Sequence, residues 1–255
     1  MPDIQSAFDQ VIYELVMEHL GKLAAYVPGP IKNAGGEKAK LLERYHNDPL
    51  FSMFGLDTPE YLGATLAGGS VTSLHRKLGD IYEACVRAIF IEHLDQLPED
   101  VSYKATIRSG DEPETRSVDA YLQFDKLPRE ARKRVRHWCQ VELAQLSAQP
   151  RIDLIGVGFE VRHCYQTGDS KRTQADEAMA RHLLVSGVLP VMPLFCNQSN
   201  PGIIRRYQSI WVTKQGMESY NLVKEFSGYD FFDFLSRNRD DFRQIVLNLL
   251  RSLIS

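Results

Sequence analysis

The chain has 255 residues, of which 44% are hydrophobic, and a formal net charge of −3. These values predict one large domain, or a domain with an added helical part, with enough apolar side chains for a sizeable core. The charge argues against a nucleic-acid binder held mainly by bulk positive charge, although basic residues can still cluster on one face. No run approaches 18 apolar residues, so we expect no transmembrane helix.

The cysteines and the N-terminal segment bear on the cellular compartment. Cys85, Cys139, Cys164 and Cys196 lie far apart and form no CxxC pair, so zinc-site spacing is missing. We therefore expect free thiols in a reducing cytosol. The segment MPDIQSAFDQ has neither a basic n-region nor an apolar h-region, so we expect no secretory signal and a cytoplasmic protein.

Apolar periodicity and turn residues divide the chain into helices and strands. In chain order we predict a helix at 4–26, short helices at 37–46 and 58–66, a long helix at 73–94, strands at 103–109 and 118–124, a helix at 127–147, a buried strand at 152–162, a helix at 170–187, strands at 188–196 and 209–215, and helical structure over 232–254. The prolines of the strand at 188–196 are expected at or near an edge or end. This order predicts an α/β fold with a mixed sheet flanked by helices.

Two carboxylates stand on neighbouring predicted strands. Asp119 lies at the start of VDAYLQF, whereas Glu160 ends the apolar run IDLIGVGF and is followed two residues later by Arg162. Mg²⁺ is usually held by one or two carboxylates plus substrate phosphate, and it can activate a water for attack on phosphorus. A carboxylate that ends an apolar run is costly to bury without a partner, and the ordinary alternative for Glu160 is a salt bridge to an arginine.

Other sites and chemistries fit less well. Asp153 precedes Glu160 on one apparent strand by more than ~20 Å at roughly 3.3 Å per residue, so the two cannot share a metal unless that strand is broken. Asp125 is a second alternative to Asp119 and looks like a strand-end residue. No GxxxxGK[ST] motif is present, which excludes a P-loop ATPase, and no GxSxG-like turn supports serine catalysis.

The segments SLHRKLGDIYE, SVDAYL and GFEVRHCYQTGDSKRTQAD follow the order long helix, Asp-bearing strand, then Glu-x-(Lys/Arg/Gln) strand. This order resembles the PD-(D/E)XK nuclease superfamily, and within it the type II restriction endonucleases. The resemblance implies a restriction-endonuclease-like α/β fold, with helices at both termini. It implies a nuclease core at about 70–235 and an N-terminal helical part at about 1–66 within a single domain.

By this resemblance Asp119 and Glu160 are the metal carboxylates and bind Mg²⁺. Arg162 occupies the place where the family usually has Lys, and Lys171 at the start of the next helix is the alternative cation. Glu83 corresponds to the extra carboxylate that some members place near the metal, although a surface carboxylate is its more ordinary interpretation. Val118 stands where the name-giving Pro would be. The 41 residues from Asp119 to Glu160 require the helix at 127–147 to be inserted between paired strands.

The resemblance also implies a function. It predicts a Mg²⁺-dependent endonuclease that cleaves double-stranded DNA at a short specific site, acts as a homodimer and works in the cytoplasm of a bacterium or archaeon. A cognate DNA methyltransferase is expected in the same system. Two alternatives stay open: a repair or recombination nuclease acting on branched or nicked DNA, and a catalytically silent member that only binds DNA.

Basic and polar side chains suggest where DNA is contacted. The predicted helix at 127–147 carries five basic residues in eight positions, which is typical either of a solvated face or of a phosphate-contacting helix. Polar residues after Glu160 and on a later loop suit contacts to base edges and phosphates. The residues predicted to contact DNA are Arg132, Arg136, His163, Gln166, Asp169, Lys171, Arg172, Gln174, Arg205 and Arg206.

Overall fold

The computed structural model describes residues 2–24, 32–33, 35–53, 56–108, 113–147, 153–165 and 170–254. The chain divides into two compact units, Met1–Asp80 with Ser236–Ser255, and Ile81–Leu235. Its main elements are α1 (Ala7–Ala24), α2 (Lys38–His46), α3 (Pro49–Met53), α4 (Pro59–His93), β1 (Tyr103–Arg108), β2 (Pro113–Val118), β3 (Ala120–Gln123), a 3₁₀ turn (Phe124–Lys126), α5 (Arg129–Leu143), β4 (Gly156–Phe159), α6 (Ser170–Val185), β5 (Val188–Leu194), α7 (Pro201–Tyr207), β6 (Val212–Gln215), α8 (Met217–Ser227), α9 (Phe231–Arg237) and α10 (Arg239–Ile254).

The first unit is built around the packing of α1 against α10. The Tyr13 hydroxyl donates to Asp241 Oδ2 at 2.9 Å, and its ring lies 5.6 Å from that of Phe242. A small apolar cluster includes buried leucines from α2 and from the first turns of α4. In the described part of the chain, no helix is long and apolar enough to cross a membrane.

Two helix boundaries differ from the sequence-based predictions. The predicted helices at 58–66 and 73–94 are one continuous helix, α4, which runs through Gly68 and Gly69. Both glycines are exposed, and each costs only about 1 kcal/mol relative to alanine, so the helix continues through them. The predicted helical stretch at 232–254 is divided at Asn238. The Asn238 side-chain amide is hydrogen-bonded to the Asp3 backbone, with Asp3 N–H donating at 2.8 Å.

The second unit contains two sheets. β1 and β2 form an antiparallel pair, and a four-stranded sheet has the order β3-β4-β5-β6. β3 runs antiparallel to β4, whereas β4, β5 and β6 run parallel. α6 connects β4 to β5, and α7 lies between β5 and β6 in sequence, as parallel neighbours require a crossover. The predicted α/β fold with a mixed sheet is confirmed.

Helices cover the two faces of the four-stranded sheet. Phe159 of β4 lies 5.1 Å from the Phe90 ring and 6.0 Å from the Phe226 ring, so this face packs on α4 and α8. A Cβ added to Gly158, the residue before Phe159, would lie 3.4 Å from Leu183 of α6. Position 158 therefore points to the opposite face of the sheet from Phe159. Because strand side chains alternate, Glu160 points to the α6 face as well.

The insertion between paired strands that the nuclease resemblance requires is present. Ala120 of β3 pairs with Phe159 of β4, although α5 lies between them in sequence. The strand β4 is shorter than the predicted 152–162, and Asp153 precedes it. The extended pairing nevertheless continues past β4, because Arg162 forms an isolated parallel bridge with Leu194.

The prolines of 188–196 do not lie on an edge strand, although Pro193 is next to the last residue of β5. β5 pairs with both β4 and β6, and every one of its residues is buried. Pro190 and Pro193 therefore stand in a central strand, each lacking a backbone donor. Pro193 still contributes an acceptor, since its carbonyl receives the Arg162 N–H at 3.0 Å.

The prediction of four free thiols is also wrong. Cys164 and Cys196 form a disulfide with a Cα–Cα distance of 5.4 Å, whereas Cys85 and Cys139 are free and buried. Cys164 follows β4 and Cys196 follows β5. Because parallel neighbours bring their C-terminal ends together, these two cysteines meet although 32 residues separate them in sequence.

The disulfide is expected to stabilise the fold. A cross-link spanning 32 residues lowers the conformational entropy of the unfolded chain, which stabilises the folded state by roughly 3–4 kcal/mol. Paired Cys164→Ala and Cys196→Ala substitutions should lower the free energy of urea unfolding by about that amount. Treatment of the wild type with dithiothreitol should do the same, and it should leave the double variant unchanged. Equal unfolding midpoints with and without the reductant would contradict this expectation.

Candidate active site

Asp119 lies where the chain leaves the β1–β2 pair and enters the four-stranded sheet. Its N–H donates to Phe159 O at 2.9 Å, so its backbone is paired with the end of β4. Its Oδ2 accepts the Val161 N–H at 2.7 Å. Arg87 of α4 donates to the Asp119 carbonyl at 3.3 Å. The carboxylate is therefore held against the residues that follow β4.

Glu160 and Arg162 follow β4 and are held by the neighbouring strand β5. Glu160 N–H donates to Val191 O at 2.9 Å, and Arg162 N–H donates to Pro193 O at 3.0 Å. Glu160 is buried, with 9% of its surface exposed. Both residues occupy alternate positions of the same extended segment, so both side chains point to the face that α6 covers.

The Arg162 guanidinium joins the two predicted metal carboxylates. Its Nη1 donates to Asp119 Oδ2 at 3.3 Å and to Val161 O at 3.1 Å, and its Nη2 donates to Glu160 Oε1. Nη2 also lies 3.8 Å from Asp176 Oδ1. None of these four charged side chains is more than 16% exposed. Three carboxylates thus surround one cation in a largely buried cluster, which we call the Arg162 cluster.

Asp176 is a site residue that the sequence analysis missed. It lies on α6, and its Oδ2 accepts hydrogen bonds from the hydroxyls of Tyr165 at 2.8 Å and Tyr207 at 2.9 Å. A signal for it exists in the sequence. Met179, Ala180 and Leu183, which are three, four and seven residues further along α6, are buried core residues, so Asp176 is a carboxylate on the core-facing stripe of that helix.

Burial is the largest influence on the pKa values of Asp119 and of Tyr165. It raises the pKa of Asp119, while the Arg162 charge and the Val161 N–H act in the opposite direction. Burial, followed by the Asp176 charge, raises the pKa of Tyr165 to about 12. Tyr165 therefore keeps its hydroxyl proton at neutral pH and remains a donor to Asp176.

The raised pKa of Asp119 predicts a gain in stability when its charge is removed. An acid whose pKa is raised by folding contributes stability that is complete below its ordinary value of 3.8 and is lost as the pH rises through the folded-state pKa. At pH 7 the ionised carboxylate therefore opposes folding. Asp119→Asn should raise the free energy of urea unfolding at pH 7, and the gain should shrink as the pH falls toward 3.8.

A matched control is Asp125→Asn, because the Asp125 side chain is 81% exposed and should show no such gain. A lower unfolding free energy for Asp119→Asn at pH 7 would mean that its ion pair with Arg162 outweighs its burial.

The donor set at this site fits a hard divalent cation. Asp119 and Glu160 oxygens converge on a single cationic group, and Mg²⁺ commonly takes one or two protein carboxylates together with substrate phosphate and water. Among the residues that the structure describes, no group of three or more His, Cys, Asp or Glu side chains has the geometry of a metal site. A cation at this position would be held by Asp119 and Glu160.

The other two predicted catalytic residues lie on helices α6 and α4 and are not among the four charged residues of the Arg162 cluster. Lys171 is exposed in the first turn of α6, and Glu83 is half-buried on α4. Their roles stay predictions. Asp125 and Asp153, the alternatives to Asp119, are both exposed, and Asp125 Oδ1 lies 3.8 Å from Arg132.

The residues predicted to contact DNA come from four parts of the second unit. On α5, Arg132 donates to the carbonyls of Asp125 and Leu127, and Arg136 lies 5.3 Å from the centre of the Phe124 ring. Those two arginines therefore also have intramolecular roles. His163 is half-buried beside Arg162. Exposed residues are Lys171, Arg172 and Gln174 on α6 and Arg205 and Arg206 on α7, whereas Gln166 and Asp169 lie outside the described residues.

Two of these arginines have specific partners near the cluster. Arg172 lies 5.7 Å from the centre of the Tyr165 ring, and Arg206 Nε donates to Glu177 at 2.6 Å. Their contact with DNA stays a prediction. Comparison with protein-family models finds no matching family, and neither curated proteins nor solved structures give a match.

Proposed function

We propose that this chain is a Mg²⁺-dependent DNA endonuclease of the PD-(D/E)XK type, and more specifically a type II restriction endonuclease. The observation that carries the proposal is the convergence of Asp119 and Glu160. Asp119 directly precedes β3 and Glu160 directly follows β4. Because these two strands are antiparallel, both residues lie at the same end of the pair, where they meet at the Arg162 guanidinium. A set of buried acidic oxygens around one cationic position is the arrangement that metal-dependent phosphodiester cleavage needs.

The residues of the cluster have distinct parts in this proposal. Asp119 and Glu160 hold the cation, and the Val161 N–H fixes the direction of the Asp119 carboxylate. A bound Mg²⁺ would lower the pKa of a water and offset charge on the phosphate. Arg162, which stays protonated in proteins, would stabilise charge on the phosphate and orient the water rather than remove a proton.

The ordinary alternative is that the Arg162 cluster is only a buried ion-pair network. Two observations favour a site. Three carboxylates lie around the Arg162 guanidinium, and burial raises the pKa of Asp119 although the Arg162 and Arg172 charges act in the opposite direction. Ionisable groups held in such an unfavourable environment are more common at functional sites than elsewhere.

We expect the protein to act as a homodimer and its cleavage to leave a 5′-phosphate and a 3′-hydroxyl. We also expect its gene to lie beside the gene of a cognate DNA methyltransferase.

Cleavage of defined substrates tests the proposal and separates its alternatives. The purified protein is incubated with supercoiled plasmid, and with branched and nicked duplexes of equal length, in Mg²⁺ and in EDTA. The proposal expects discrete fragments from intact plasmid in Mg²⁺ alone. Cleavage of only the branched or nicked duplexes would indicate a repair or recombination nuclease. DNA binding in Ca²⁺ without cleavage in Mg²⁺ would indicate a silent DNA-binding member, and neither binding nor cleavage would contradict all three.

A further inference from the structure

The Arg162 guanidinium contacts one oxygen of each of the two carboxylates that would hold a cation. Its two terminal nitrogens donate to Asp119 Oδ2 and Glu160 Oε1. A divalent cation bound to those oxygens would leave the guanidinium without its two charged acceptors. The Arg162 side chain is only 16% exposed, and a buried guanidinium without a partner is strongly unfavourable. A third anion that holds Arg162 removes this cost while Asp119 and Glu160 hold the cation.

Asp176 has the position and the support for that task. Its Oδ1 is 3.8 Å from Arg162 Nη2, which is close enough for an ion pair but longer than a hydrogen bond. Its Oδ2 is already engaged by the hydroxyls of Tyr165 and Tyr207, which are themselves 2.7 Å apart. Those two hydroxyls fix the carboxylate and leave Oδ1 directed at the guanidinium.

The surroundings of Asp176 are buried and hydrogen-bonded. Tyr165 is 4% exposed and Tyr207 is fully buried, and both belong to the apolar core between α6, α7 and the sheet. Trp211 Nε1 donates to the Asp176 backbone carbonyl at 3.2 Å. A carboxylate supported in this way costs little further ordering when it accepts a hydrogen bond from Arg162.

We propose that Asp176 is a positioning residue for Arg162: it takes up the guanidinium when Asp119 and Glu160 bind a divalent cation, and so keeps Arg162 beside the substrate phosphate. The proposal rests on the proposed metal-dependent function. Without Asp176, the guanidinium has only the Asp119 and Glu160 oxygens as anionic partners in the Arg162 cluster, and it competes with the cation for them. Asp176 thus acts through Arg162 and is not itself one of the residues that hold the cation.

Binding of Mn²⁺, measured by isothermal titration calorimetry on the full chain, tests this without any cleavage assay. Asp176→Asn keeps the shape of the side chain and an acceptor for the tyrosines. It should weaken Mn²⁺ binding by about 10-fold or more, as is typical for partners of metal ligands. The matched control is Glu177→Gln, which removes one negative charge at the next position of α6, where Glu177 pairs with Arg206. It should leave Mn²⁺ affinity close to that of the wild type.

A double-mutant cycle separates action through Arg162 from direct action on the cation. In an Arg162→Gln background, Asp176→Asn should change Mn²⁺ affinity by less than about twofold, because the competing guanidinium is gone. An equal loss in both backgrounds would overturn the proposal and make Asp176 a direct ligand or a distant charge. Wild-type affinity in the Asp176→Asn variant would also overturn it.

Two further results keep the test decisive. If Asp176→Asn does not fold, Tyr207→Phe serves instead, since it removes one hydroxyl that orients Asp176 and should weaken Mn²⁺ binding in the same direction. An unchanged affinity in that variant would overturn the proposal. Failure of the wild type to bind Mn²⁺ would overturn the proposed function and this inference together, whereas normal binding that is insensitive to Asp176 would overturn the inference alone.

Discussion

Alanine at Glu160 or at Asp119 is expected to abolish Mg²⁺-dependent DNA cleavage, with a loss on the order of 10³-fold or more in single-turnover rate, as is typical when a residue of a concerted site is removed. Each substitution removes one of two carboxylates that meet at the Arg162 guanidinium. Neither residue contributes apolar packing, and the backbone hydrogen bonds that hold them to β4 and β5 remain. The variants should therefore keep their circular dichroism spectrum and their DNA binding in Ca²⁺.

Asp125→Ala and Asp153→Ala are the matched controls for the two carboxylate variants. Both aspartates are exposed, and both were alternatives to Asp119 in the sequence. Their cleavage rates should equal that of the wild type. Near-normal cleavage by Asp119→Ala, together with a loss in either control, would show that the first carboxylate had been assigned wrongly.

Arg162→Ala is expected to reduce the single-turnover cleavage rate by on the order of 10²-fold or more, as for the loss of one transition-state donor. Arg162 is the cation that contacts both carboxylates, whereas Lys171 is exposed in the first turn of α6. Arg162→Lys should recover part of the rate, because an ammonium supplies the charge without the planar pair of donors.

The comparison between Arg162 and Lys171 decides which residue supplies the cation. Lys171→Ala should lose much less activity than Arg162→Ala under identical single-turnover conditions. The assay must be run at saturating Mg²⁺, so that changes in cation affinity do not lower the rate. A large loss confined to Lys171→Ala would show that the cation comes from α6 instead of from the end of β4.

Much of the site was accessible from local sequence patterns. Glu160 stands out because a carboxylate ends an apolar run, and Arg162 follows it on the same face by the two-residue period of a strand. The mixed sheet follows from the order of helices and strands. The pairing of the Asp119 and Glu160 strands was not visible in spacing, since α5 lies between them, and it entered through the nuclease resemblance.

What the sequence could not supply depends on contacts between distant segments. Asp176, Tyr165 and Tyr207 meet only because α6 and α7 pack on one face of the sheet. The disulfide between Cys164 and Cys196 arises from the parallel pairing of β4 with β5, which a search for CxxC spacing does not detect.

Propensity rules failed where packing outweighed them. Pro190 and Pro193 occupy a central strand that is buried along its whole length, although proline usually lies at sheet edges. Gly68 and Gly69 lie inside α4, although glycine disfavours helix interiors. In both cases the local cost in free energy is smaller than the stabilisation that comes from burying the apolar side chains of the rest of the helix or strand.

The most direct test of the central claim, that Asp119 and Glu160 together hold a divalent cation, is Mn²⁺ binding by the wild type and by the near-isosteric Asp119→Asn/Glu160→Gln double variant. Isothermal titration calorimetry is run on both proteins after circular dichroism has shown that both are folded. We expect a saturable Mn²⁺ site in the wild type that is lost in the double variant. Equal Mn²⁺ binding by the two proteins, or none by the wild type, would contradict this claim.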